Sequence, residues 1–480
     1  MRQTVQPGAV IDGFCVGERL HKGGNGFVYE VTAPPGADPG FPLVMKVPGL
    51  GQAQPTIGIE SFEMEQTILP TLAGASTPRY VAAGDLTHTP YIVMERIEGR
   101  ALADIVEQAP LPAAQVARIG AALADAVHAV HEQQVNHLDL KPENLMLRSN
   151  GQAVVLDFGF ARHARYPDLL AEEKHFAAGS APYVSPEQLN NDRSDPRSDL
   201  FALGVLLFQL ATGELPFGEP ATYAGMRDRL WKAPIPPRAV NDAVPPWLQE
   251  IILRCLAHDA ADRYQSAAHI AFDLRNPEQV ALTARAQRTE RAGFLAQAKR
   301  WWRAHGVIDA APRRRGDSAR QAPIILVAVD TEHPDDERQP ALQAATRELL
   351  RVNPEFRLIG VSVIGAAPLG EGTNLLDTAS GRHLEHKSRL RRWVAPLNLA
   401  HSRVSLHVLE GANAADALLD LARANHVDLI VLGAPRPDQQ AFGWWRSVAS
   451  SVTAKASCSV HVVRVREGAH ETRDRQLPPR

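Results

Sequence analysis

Residues 137–144 read His-Leu-Asp-Leu-Lys-Pro-Glu-Asn. They bring a carboxylate (Asp139), an ammonium (Lys141) and an amide (Asn144) into one short stretch. Moving a phosphoryl group onto a hydroxyl needs those three parts. A carboxylate orients the attacking hydroxyl, a cation offsets charge on the moving phosphate, and an oxygen ligand holds a metal ion. One octapeptide can arise by chance, so the elements that would position it have to be found.

Upstream, Pro112 to Glu132 carries Val116, Ile119, Leu123, Val127 and Val130 at spacings of three and four. This is one apolar stripe of a helix, and it delivers the chain to the loop. Downstream, the apolar run Ala153 to Leu156 reads as a strand and is followed by Asp157-Phe158-Gly159. Asp before Phe-Gly is common in turns. Its place after a buried strand, thirteen residues past Asn144, favours a metal role. Two oxygen ligands, Asn144 and Asp157, suit magnesium, which keeps waters and phosphates as its other ligands.

Nearer the N-terminus, Val10 to Val31 reads as two strands joined by the loop Gly23-Gly24-Asn25-Gly26-Phe27-Val28. Glycine there lets backbone N–H groups approach phosphate oxygens. Lys46 closes the apolar strand Leu43-Val44-Met45. A lysine so placed is costly to bury alone, and Glu65, on a helix expected to begin near Ile59, can supply its carboxylate. The bland alternative is a lysine snorkelling at a strand edge. Tyr91 to Met94 reads as a further strand, followed by Glu95 to Gly99.

In this order and spacing the motifs resemble the Hanks-type, eukaryotic-like protein kinases. Residues 137–144 stand for the catalytic loop, Asp157-Phe158-Gly159 for D-F-G, Ser185-Pro186-Glu187 for A-P-E, and Leu43 to Lys46 for V-A-I-K. Ser198-Asp199-Leu200-Phe201 matches the helix whose Asp braces the catalytic loop, and Arg263 matches the Arg that pairs with the A-P-E glutamate, here Glu187. The resemblance implies an α+β bilobal fold that binds ATP and Mg2+ and phosphorylates protein serine or threonine. By that resemblance the catalytic set is Lys46, Glu65, Asp139, Lys141, Asn144 and Asp157, with metal on Asn144 and Asp157. The nucleotide would touch Gly23, Gly24, Gly26, Val28, Val44, Lys46, Asn144 and Asp157, with Met94 as gatekeeper and Glu95 and Ile97 in the hinge. His137 reads as structural. The sequence departs from the pattern at His21 (first loop glycine), Val44 (alanine) and Leu138 (arginine). Between Gly159 and Gly179 the only hydroxyl is Tyr166, and Ser180 takes the place of the family's threonine. The expectation is a non-RD kinase not switched on by activation-segment phosphorylation. Phe160 after D-F-G hints at serine acceptors. The competing reading is a pseudokinase scaffold.

The chain has 480 residues, 45% hydrophobic and 22% charged, with a net charge of -3. It suits several globular domains and shows no overall bias toward nucleic acid or membrane. Cys15, Cys255 and Cys458 lack metal-type spacing, and each is expected as a buried small hydrophobe in a reducing cytoplasm. No signal peptide and no membrane-spanning run is read. The expected divisions are a kinase domain at 1–275 (lobes 1–97 and 98–275), a basic helical linker at 276–322, a second domain at 323–467 and a disordered tail at 468–480. Trp301-Trp302 in the linker reads as packing on a neighbouring domain in preference to lying on an anionic membrane.

From Pro323 onward, five β-rich runs alternate with helical stretches: Ile324 to Val329, Leu358 to Ile364, Val404 to Leu409, Asp428 to Leu432 and Val460 to Val465. This pattern argues a parallel sheet with helices on both faces. Val327-Ala328-Val329-Asp330 and Leu429 to Gly433 resemble the universal stress protein family, a Rossmann-like α/β fold. ATP-binding members use G-x2-G-x9-G-[S/T]. Here Gly433 and Ser447 are kept, while Arg436 and Arg446 replace the middle glycines. The expectation is weak or no nucleotide binding, and a sensor or dimerisation module with Trp444-Trp445 either at an interface or in the core. The resemblance to bacterial kinase architectures implies a bacterial cytoplasm.

Overall fold

Along Phe14-Cys15-Val16, buried and exposed residues alternate with the period of a strand. The computed structural model describes residues 5–23, 26–49, 55–85, 89–172, 179–220, 222–290, 323–336, 338–365, 375–434 and 448–464. They divide into two compact units.

The first unit begins with a six-stranded antiparallel sheet. Its strands are β1 (Val10–Ile11), β2 (Phe14–Gly23), β3 (Gly26–Thr32), β4 (Leu43–Pro48), β5 (Tyr80–Ala83) and β6 (Ile92–Glu95), in the order β1-β2-β3-β4-β6-β5. Phe14, Val16, Tyr29, Val31, Leu43, Met45, Tyr91 and Val93 form one core on the face opposite Lys46. The alternation that buries Phe14 and Val16 turns Cys15 outward, so the expectation of three buried cysteines fails there. Cys255 is buried, with its thiol pushed up to about 12 by desolvation, and Cys458 is half-buried. Helix α1 (Pro55–Ile68) begins four residues before the expected Ile59 and buries Phe62, Met64 and Ile68.

The rest of the unit is mainly helical. Short helix α2 (Leu102–Val106) leads into α3 (Ala113–His131), which buries all five stripe residues named above. Strands β7 (Arg100–Ala101), β9 (Leu145–Leu147) and β10 (Ala153–Val155) form one small sheet. A second small sheet is made by β8 (Val135–Asn136) and β11 (Arg162–His163). The short helices α4 (Leu169–Glu172) and α5 (Pro186–Leu189) precede α6 (Arg197–Thr212). Helix α6 is apolar nearly all round, as a helix at the centre of a lobe must be. It ends at Gly213, whose φ of 76° is the left-handed conformation that closes a helix C-terminus. Helices α7 (Tyr223–Arg227), α8 (Pro246–Cys255) and α9 (Ala267–Arg275) complete the lobe.

The second unit is a five-stranded, wholly parallel sheet. In chain order it runs β12 (Ile324–Ala328), α10 (Arg338–Val352), β13 (Arg357–Ile364), α11 (Leu375–Val394), β14 (Val404–Glu410), α12 (Ala414–Ala424), β15 (Leu429–Gly433), α13 (Val448–Lys455) and β16 (Ser459–Val463). The strand order is β14-β13-β12-β15-β16, a doubly wound pattern. Leu326 packs with Leu418, Leu419 and Val452, whereas Ile325 and Val327 pack with Leu342, Leu350 and Leu390. Neighbouring residues of one strand thus serve opposite faces, each covered by helices. Helix α11 was not legible as a helix in the sequence. Among its described side chains it buries Leu384, Leu390 and Val394, and also His383, His386 and Lys387. Among the described residues no helix is long and apolar enough to cross a membrane.

Candidate active site

The β4–α1 pair places the first two groups. Lys46 is the only basic residue of β4, and it is 8% exposed. Its Nζ donates to Glu65 Oε2 at 2.6 Å and also lies 2.9 Å from Asp157 Oδ1. Burial alone would push the Lys46 amine down. The two carboxylates outweigh it and hold the amine above its ordinary value. They respond unequally. Burial pushes Glu65 up to about 7 despite Lys46, while Lys46 overcomes burial at Asp157 and holds that carboxyl below its usual range. One cation between two buried carboxylates does not neutralise both.

Asp157 follows β10 with φ 59°, a left-handed conformation rare for a residue with a Cβ. Its Oδ1 also accepts from the Gly159 N–H at 3.3 Å. Next to it His137 packs edge-on against Phe158, and its Nε2 lies 2.9 Å from the Leu156 carbonyl. His137 therefore ties the catalytic loop to the Asp157 turn, as the structural reading expected.

The loop itself hangs on Asp199 at the start of α6. This carboxylate accepts from the backbone N–H groups of His137 (2.8 Å) and Leu138 (2.7 Å), and lies 2.8 Å from His131 Nε2. Burial would raise Asp199, but these partners hold it below its usual range. Leu138, at φ 64°, makes the sharp bend that turns Asp139 inward. Asn144 Nδ2 donates to the Asp139 carbonyl (2.8 Å) and to its Oδ2 (3.1 Å). Lys141 Nζ lies 3.4 Å from Asp139 Oδ2, and the Ser180 N–H donates to Oδ1 at 2.6 Å. Burial pushes the Asp139 carboxyl up, against the pull of Lys141. With Nδ2 spent on Asp139, Asn144 keeps its amide oxygen for a ligand, and Asp157 keeps Oδ2. Two hard oxygens with no nitrogen or sulfur fit Mg2+.

The nucleotide-side residues lie on the same sheet. Gly23 and Gly26 face each other across β2 and β3, and Gly24 lies outside the described residues. Gly26 has φ 155°, and a Cβ there would meet the Val47 carbonyl oxygen at 2.1 Å. Val28 stands opposite Lys46, and Val44 opposite Met94. Ile97 is buried just past β6.

Glu95 exceeds its expected role. The sequence placed it only in the hinge, yet its side chain is 5% exposed and its carboxylate bridges Arg79 (3.0 Å) and Arg148 (2.8 Å). Burial would raise it, but hydrogen bonds from both arginines hold it below its usual range. The Arg79 guanidinium also stacks 3.6 Å over the Phe41 ring. Neither arginine carried a sequence signal, because both lie outside any motif.

A family model described as protein kinase domain matches residues 15–272, more than half of the chain. The chain belongs to the protein kinase domain family. The kinase lobes correspond to the first unit, and residues 323–464 match the universal stress protein family. The kinase region is similar to curated bacterial proteins. A probable serine/threonine-protein kinase of Clostridium perfringens is 31% identical over 217 residues, covering 45% of this chain and 31% of the relative. Serine/threonine-protein kinase PknB of Mycobacterium leprae is 36% identical over 186 residues, covering 38% and 30%. Serine/threonine-protein kinase PksC of Streptomyces coelicolor is 37% identical over 184 residues, covering 37% and 33%. The match therefore spans about a third of each relative's length.

The stretch matching the family's activation segment is described on both sides of residues 173–178. Ser185 caps α5 with a capping box shared with Gln188. Arg263, 1% exposed, forks onto Glu187. In the second unit Asp330 is exposed, and its carboxylate accepts from the backbone N–H groups of Glu332 and His333. Arg436, Arg446, Ser447, the two Trp pairs and the 468–480 tail lie outside the described residues.

Proposed function

We propose that this protein is an active serine/threonine protein kinase of the non-RD type, working in the bacterial cytoplasm in stress signalling. The observation that carries the reading is the Lys46 ammonium held between Glu65 and Asp157. A pseudokinase typically loses that lysine or a metal ligand, and this chain retains both.

In this reading Lys46, fixed by Glu65, aligns the nucleotide's α- and β-phosphates. Asn144 and Asp157 would hold Mg2+, which when bound neutralises phosphate charge. Asp139 accepts a hydrogen bond from the acceptor hydroxyl and then its proton. Burial keeps its pKa raised, which suits a base. Lys141 offsets charge on the transferred phosphoryl group. The Gly23–Gly26 turn covers the phosphates, Val28 and Val44 flank the adenine, and Met94, Glu95 and Ile97 bound its far edge.

The universal stress protein domain is proposed as a sensor or dimerisation module that binds nucleotide weakly, because the sequence has the bulkier arginine at 436 and 446 where ATP-binding members have glycine. A low-micromolar ATP affinity surviving disruption of the kinase site by Lys46→Met would contradict this.

The test is to incubate the full chain with Mg2+, γ-labelled ATP and a mixed serine/threonine protein acceptor, beside Asp139→Asn and Lys46→Met. Label on serine or threonine with the parent only is the expected result. A parent as silent as Asp139→Asn would leave the scaffold reading standing.

A further inference from the structure

We propose that Asp168 and Arg193 are positioning residues that lock the activation segment in its working form without a phosphate. The proposal rests on the kinase reading above. In kinases switched by phosphorylation, a phosphate on this segment is gripped by arginine, and the new ion pairs order the loop. Here Leu138 removes the usual arginine, and the described segment offers no serine or threonine between Gly159 and Gly179. Something else must hold the segment.

Arg193 reaches three places at once. Its Nε donates to Asp168 Oδ2 at 2.8 Å, and its Nη2 donates to the Phe160 carbonyl at 2.9 Å, directly after the Asp157 turn. Its own carbonyl accepts from Asn136 Nδ2 at 3.2 Å, on the strand that enters the catalytic loop. Arg162 adds a longer contact of 3.9 Å to the same carboxylate. The pair is desolvated, with side chains 7% and 12% exposed. Removing one partner of an ion pair held away from water leaves the other charge uncompensated, unlike at a surface pair. Asp168 also caps α4: its Oδ1 accepts from the Ala171 N–H at 3.3 Å and its carbonyl from the Glu172 N–H at 3.0 Å. A carboxylate of this segment thus meets an arginine, as a phosphate does in a switched kinase. Here the arginine comes from the stretch after α5, not from the catalytic loop.

Asn caps a helix as well as Asp does. Asp168→Asn therefore keeps the cap and deletes the charge, which separates the two roles. In the full chain, Asp168→Asn should lower kcat/KM for a protein acceptor at least tenfold, mostly in kcat and acceptor KM. Affinity for a fluorescent ATP analogue should stay within about twofold. Asp168→Glu should recover part of the loss, and the charge swap D168R/R193D should exceed either single change. Phosphatase treatment of the parent should leave its rate unchanged. Hydrogen exchange should speed up over residues 160–170 in Asp168→Asn, a readout that needs no turnover. Unaltered kcat/KM and exchange in Asp168→Asn would overturn the proposal, as would a phosphatase-sensitive parent. If ATP affinity falls as far as kcat/KM, the role is general stability and the proposal fails. A parent that never transfers phosphate, yet loses exchange protection on Asp168→Asn, fails the kinase reading while sparing the lock.

Discussion

Arg263 and Glu187, 76 residues apart in sequence, meet fork to fork: Nη1 lies 2.6 Å from Oε1 and Nη2 2.9 Å from Oε2. Ser198 Oγ donates to the same Oε1 at 2.7 Å, so the pair ties the end of the activation segment to the start of α6. Removing one member of a buried pair leaves the other uncompensated. Arg263→Ala should therefore destabilise the kinase lobes by about 3–5 kcal/mol in urea unfolding. Arg263→Lys should recover only part of this, because a point charge cannot reproduce the planar fork. Full recovery by lysine would show that charge alone matters.

Glu65 gives a pH signature. Its folded pKa of about 7 lies above its ordinary value of 4.5. Between those values the folded state binds more protons than the unfolded one, so this contribution is full below pH 4.5 and is lost as pH rises toward 7. Glu65→Gln should erase that slope. Unfolding curves of parent and variant, without nucleotide or metal, should converge or cross between pH 5 and pH 8. Parallel stability profiles for the two proteins would refute the raised pKa.

Asp139→Asn removes the proposed proton acceptor and, with one amide oxygen, can keep only one of the hydrogen bonds that the carboxylate accepts from Ser180 and Asn144. Phosphoryl transfer should fall by about 10²–10⁴-fold, with ATP affinity nearly unchanged. Single-turnover rates and nucleotide titration measure the two separately. In the parent, activity should fall on acidification around a pKa above the ordinary 3.8, because burial raises Asp139.

Glu95→Gln leaves Arg79 and Arg148 facing a neutral amide. A charged hydrogen bond contributes about 1.5–3 kcal/mol. Because Arg79 is 55% exposed, water replaces much of its share, and the net loss should sit near the lower end. The larger effect should be on the hinge, with a several-fold rise in KM for ATP and little change in kcat. A fall in kcat at constant KM would place Glu95 elsewhere in the mechanism.

The kinase motifs were legible because phosphate chemistry needs particular side chains at fixed spacings. Lys46, Asp139, Lys141, Asn144 and Asp157 were named from the kinase resemblance that their order and spacing carry, and helix α3 from its apolar stripe. Local patterns also set the alternating strands and helices of the second unit. Other features depended on residues far apart. Whether Cys15 faced inward depended on the register of β2. Helix α11 carries too few apolar residues to announce itself and forms because the sheet covers one side of it. The Arg79–Glu95–Arg148 bridge and the Asp168–Arg193 pair belong to no motif. Sequence fixes which charges exist, but a charge's partner is whichever group the folded chain brings within about 3 Å and shields from water. Long-range packing decides that, so tertiary structure alone assigned those pairs.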